Sequence, residues 1–114
     1  MAPKKNPLGL NRLQLKTLTL LQALAEDPDH AQADGEGGTV VTRMPHPHGD
    51  HFHLGHYIVS AADATGIANQ SVWVALERKG LIARPVFPMM LTLSAAGRDY
   101  ETGLKDEILH HGHH

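Results

Sequence analysis

Ala62-Asp63-Ala64-Thr65-Gly66-Ile67-Ala68-Asn69-Gln70-Ser71-Val72 carries the clearest supersecondary pattern in the chain. Ala62 is a small residue where two helices would touch. Gly66 follows where a tight turn favours a residue without a side chain, and Ile67 and Val72 then fall where a second helix would anchor to the first. The same residues also allow one longer helix, capped by Ser60 with Asp63 at its third position. That helix would carry Gly66 inside it at a cost of about 1 kcal/mol.

The residues that follow extend the first reading. Ala75-Leu-Glu-Arg-Lys-Gly80 looks like the end of a helix, with Gly80 just beyond it and Arg78 and Lys79 near its negative pole. Leu81-Ile82 then opens a strand. Met90-Leu-Thr-Leu93 reads as the returning strand, and Ser94-Ala-Ala-Gly97-Arg98 as the cap of a last helix. In this order the motifs resemble the winged helix-turn-helix superfamily, in the manner of MarR-type and PadR-type regulators, over roughly residues 60–100. The resemblance implies a recognition helix that presents Asn69, Gln70, Ser71 and Trp73 to double-stranded DNA, with Arg78, Lys79 and Arg84 at phosphates. Asn and Gln can pair with adenine in the major groove. The chain departs from the family at several points. The stretch from Gly66 to Leu76-Glu77 is short, so the helix is expected to lose a turn, and its start lacks Arg or Lys. The wing, Pro85-Val-Phe87-Pro88-Met89-Met90, is apolar rather than basic.

Towards the N-terminus, Asn11 with Gln14 forms a capping-box pattern, and Leu10 with Leu15 a hydrophobic staple. Leu13, Leu20, Leu21 and Leu24 make one helical stripe that ends before Asp27-Pro28. Leu18 lies off the stripe, which fits burial on a second side, contact with a second copy, or simple exposure. From Asp27 to Gly38 the chain reads as an acidic, Gly-rich loop with His30 exposed in it. Thr39-Val-Val-Thr42 reads as a strand that enters the next segment, and Tyr57-Ile-Val59 as the strand that leaves it.

That segment, Met44-Pro-His-Pro-His-Gly-Asp-His-Phe-His-Leu-Gly-His56, holds five of the ten histidines. With a two-residue turn at Gly49-Asp50, His48 faces His51 and His46 faces His53, so four imidazoles share one face of an edge hairpin. Pro45 and Pro47 fall at non-hydrogen-bonded positions of that hairpin. Imidazole suits Zn²⁺, Ni²⁺ or Cu²⁺, and Asp50 could add an oxygen, so the expected metal set is His46, His48, Asp50, His51, His53 and His56. The other reading of such a segment is a solvated polar loop. His46-Pro-His48-Gly-Asp50-His51 also resembles the HxHxDH signature of metallo-β-lactamase-type hydrolases, which implies metal ligands and a metal-bound water as nucleophile. That fold needs a longer chain and further ligands downstream, whereas no histidine lies between His56 and His110. The tail, His110-His-Gly-His-His114, is a second histidine group or a remnant of cloning.

Composition narrows the function. The 114 residues suit one domain, and 41% hydrophobic with 4% aromatic residues makes a core of Leu, Val, Ile and Ala. A net charge of −2 leaves DNA binding to local patches, among them Lys4, Lys5 and Arg12. Without cysteine there is no disulfide or thiolate site. No apolar run approaches the ~20 residues of a membrane span, and no signal peptide is evident, so a cytoplasmic location is expected. No catalytic motif other than the histidine signature is present, and the chain is not read as an enzyme. Together these readings give a mixed α/β (α+β) winged helix-turn-helix with an inserted His-rich β-hairpin. An N-terminal arm covers 1–10, the domain 11–109 with its insert at 39–59, and the His-rich tail 110–114. The expected function is a homodimeric, metal-responsive DNA-binding transcriptional regulator. The rival is a winged-helix protein-interaction module with incidental histidines.

Overall fold

The computed structural model describes residues 6–111, and Lys4, Lys5, His113 and His114 lie outside the described residues. Helix α1 (Arg12–Ala25) starts at the capping box: the Asn11 side chain accepts from the Gln14 amide, and the Gln14 side chain accepts from the Asn11 amide. Leu18, Leu20, Leu21 and Leu24 are all fully buried, so Leu18 is covered within the domain. Thr17 and Thr19 are buried beside them. Their hydroxyls donate to the carbonyls of Leu13 and Leu15, which satisfies them in the core.

Strands β1 (Ala31–Ala33) and β2 (Thr39–Val41) follow, then β3 (Pro47–His48), β4 (His51–Leu54) and β5 (Tyr57–Ser60). Two 3₁₀ turns, Ala61–Asp63 and Thr65–Ala68, lead into α2 (Gln70–Arg78). The rest is β6 (Ile82–Val86), β7 (Met90–Leu93), α3 (Ala95–Asp99), α4 (Lys105–Ile108) and β8 (His110–His111). Among the described residues there are two antiparallel four-stranded sheets, ordered β1-β2-β7-β6 and β3-β4-β5-β8. The protein is therefore a mixed α+β fold in which α1 packs on both sheets and on α2.

Several sequence expectations hold locally. Ser94 caps α3 by accepting from the Gly97 amide, and Gly80 ends α2 at φ 77°. Others are corrected. Residues 61–68 form neither the first helix of a helix-turn-helix nor part of one long helix, because the chain tightens into 3₁₀ turns against α1. The 27–38 segment contains β1, which pairs Ala31–Ala33 with β2. Strand β2 joins β7 in the first sheet, so it lies outside the histidine hairpin, which with β5 occupies the second. The arm is docked from Asn6 onward. Its side chain bonds both the amide and the carbonyl of Leu10, and the Tyr100 hydroxyl donates to it. The last helix is only four residues, and His110–His111 continues as β8 paired with β5.

Gly66 explains the tight turns. A Cβ at this position would lie 1.7 Å from the Thr17 hydroxyl oxygen. Gly66→Ala should therefore destabilise the fold by about 1–3 kcal/mol through overpacking. In a urea-unfolding double-mutant cycle, Thr17→Ala should recover part of that loss. Strict additivity of the two substitutions would show that this contact does not set the spacing.

Candidate functional site

The inserted hairpin forms where its turn allows. Gly49, at φ 67°, supplies the left-handed turn residue, and His48 pairs with His51 as the spacing requires. Pro47 pairs with Phe52, and β3 is an edge strand, so the missing proline N–H disrupts no ladder. The ladder ends there. His46 lies beyond β3 and lines a cleft with Pro45 and Pro47, so the expected His46–His53 pair is not part of the hairpin.

Alternation along β4 separates its residues. Leu54 is buried and Phe52 packs on the core, while His51 and His53 share the opposite face. Their Nε2 atoms lie 3.1 Å apart, a distance at which one ring N–H donates to the other's bare nitrogen. The His48 ring stands 5.0 Å from that of His53 and 6.3 Å from that of His51. The exposed Asp50 carboxylate lies 3.2 Å from His51 Nδ1, a contact that favours the tautomer with the proton on Nδ1 and Nε2 as the acceptor or ligand atom. Three imidazoles are thus gathered. Among the described residues, however, no group of three or more His, Cys, Asp or Glu side chains converges on one ion position.

His56 belongs to a different group. Its ring stacks on His111 at 5.6 Å and packs against Tyr57 at 4.5 Å, so the tail strand meets the β4–β5 turn. His30 is not a free loop histidine, since its Nδ1 lies 3.0 Å from the Asp27 carboxylate and its side chain is 15% exposed. Burial works to raise the Asp27 pKa. The Asp29 amide, the His30 hydrogen bond and the nearby His30 and His56 charges outweigh it and hold the carboxyl below its ordinary value.

The expected DNA readers scatter. Trp73 is 1% exposed, donates its indole N–H to the Ile67 carbonyl and meets Phe87 edge-on, so it is a core residue with no face for a base. Asn69 caps α2, its side-chain oxygen accepting from both the amide and the hydroxyl of Ser71. Gln70, Ser71, Arg78 and Lys79 are exposed. Arg84 is exposed in a bulged part of β6, where its charge acts on Asp34. Sequence reading missed Val74, which is 42% exposed on α2, and the solvent-facing side chains of Val86 and Met89 in the wing. It also missed a cleft of about 510 Å³ between the 42–47 segment and the wing. No helix among the described residues is long and apolar enough to cross a membrane.

No protein-family model, curated protein or solved structure matches this chain.

The lowered Asp27 pKa has a definite sign. The stability it contributes is full above the ordinary carboxyl value of 3.8 and is lost as the pH falls below that, through the folded value. Asp27→Asn should therefore lower the melting temperature at pH 6, and the gap from the parent chain should close as the pH approaches 2. A gap that stays constant over this range would remove the charge from the explanation.

Proposed function

We propose that the chain is a metal-responsive winged-helix regulator that binds double-stranded DNA, acting as a homodimer, with the inserted hairpin as its metal sensor. The carrying observation is the His51–His53 pair. Two nitrogens on one tetrahedral zinc at ~2.0–2.1 Å would stand about 3.3 Å apart, and the Nε2 atoms are already 3.1 Å apart. Rotation of His48, 5.0 Å from His53 ring to ring, would bring in a third donor. Asp50 would act as an orienting group on His51 rather than as a ligand. Zinc, nickel or copper would all suit such a donor set.

The winged-helix reading is supported by chain order. Helix α1, strand β2, helix α2 and the β6–β7 hairpin follow one another, with β2 beside β7 in the sheet. The 3₁₀ turns stand where the family has a helix. The exposed face of α2 offers Gln70, Ser71 and Arg78, with Lys79 at its end. Because metal binding requires neutral imidazoles, metal affinity and any linked DNA affinity would weaken together as the pH falls. The protein-interaction reading has its own support, since Val86 at 53% and Met89 at 66% exposure present apolar groups where phosphate anchors would be useful.

Zinc titration calorimetry at pH 7.5 tests the sensor, in a background with His110, His111, His113 and His114 replaced by asparagine. His51→Ala and His53→Ala should each weaken binding at least tenfold, while His46→Ala leaves it unchanged. Asp50→Asn should cost about tenfold, the lower end for an orienting partner. If His46→Ala weakens binding as much as His53→Ala, the assignment is wrong. A mobility shift with random duplex at low salt, with and without zinc, tests the DNA half. Silence in both lanes would favour the interaction module.

A further inference from the structure

The cleft beside the wing lies apart from the imidazole group and calls for a different ligand. Met44, Phe52, Ala64, Ile67, Pro88 and Met89 give it apolar walls, and its volume of about 510 Å³ is that of a small-molecule site. The walls come from separate parts of the chain: the segment leading into β3, strand β4, Ala64 with the second 3₁₀ turn, and the wing. Among the described residues, the ionisable groups that line it are Arg43 and His46, and no carboxylate does. Among the described residues Arg43 forms no ion pair, so its guanidinium is available to an incoming anion. A planar fork of N–H donors, carried by an exposed residue that borders an apolar slot, matches a carboxylate on a hydrocarbon body.

We infer that this cleft binds a small apolar monocarboxylate, its hydrocarbon portion between Phe52, Ile67 and Met89 and its carboxylate at Arg43. Such a ligand bridges the inserted hairpin and the wing. It also lies against Phe52, on the side of β4 opposite to His51 and His53, so occupancy stiffens the strand that carries the imidazoles. The site does not require a metal and stands whether or not the metal reading holds.

The test uses the full chain at pH 7.5 with octanoate, octan-1-ol and octylammonium in parallel calorimetric titrations. Octanoate should bind one per chain and at least tenfold more tightly than either of the others. Arg43→Gln should erase the margin of octanoate over octanol while leaving the residual apolar affinity. Ala68→Trp, which fills the cleft from an exposed position at its edge, should abolish binding of both. Met89→Asp, in the exposed wing, serves the same purpose if the tryptophan variant does not fold. Equal binding of the three probes, an unchanged octanoate preference in Arg43→Gln, or no binding at all would overturn the proposal. A dimer that sediments as such and is broken by Met89→Asp would overturn it too, because the cleft would then be covered by a second copy.

Discussion

Helix α1 is buried on several sides, and the other elements are arranged around it. Four leucines of this helix are fully buried, each contributing on the order of 2 kcal/mol. They are flanked by two threonines whose hydroxyls are satisfied within the helix and, for Thr19, by Thr102 as well. Both sheets, α2, α3 and the 3₁₀ turns rest on this one rod. Close approach is possible because Gly66 meets Thr17 without a side chain. Lys16 bonds Asp63 at 2.7 Å, and Gln22 donates to the carbonyls of Gly97 and Tyr100, which fixes the elements at either side.

The same constraint determines what the histidine hairpin can do. Leu54 and Val59 commit one side of β4 and β5 to the core, so the other side of β4 carries His51 and His53 outward. The imidazoles are held by a strand whose register is fixed from behind. The cleft arises from a related geometry, since Phe52, pointing away from the imidazoles, becomes a wall facing the wing. One strand thus presents two chemically distinct surfaces, one basic and titratable, the other apolar.

Features written in consecutive residues were legible from sequence. Asn11 with Gln14, Ser94 with Gly97, Gly80, and His48 opposite His51 each depend on a few neighbours and formed as read. Long-range features were not. The 3₁₀ turns at 61–68 follow from contact with Thr17, some fifty positions earlier, and a helical pattern there competes with packing that sequence does not display. The pairing of His111 with Tyr57, and the cleft between residues 42–47 and 88–89, join segments that have no local signal in common. His46 was misplaced because alternation was extended past Pro47, where the ladder stops.

The second sheet ends on β3 and β8, two residues each, and the first ends on β1, three residues, and on β6, which is bulged and contains Pro85. Among the described residues, neither sheet offers a long, flat row of unpaired backbone groups to a neighbouring chain. Self-association by extension of either sheet is therefore discouraged at these borders, which favours assembly through side-chain faces, where composition rather than backbone decides the partner.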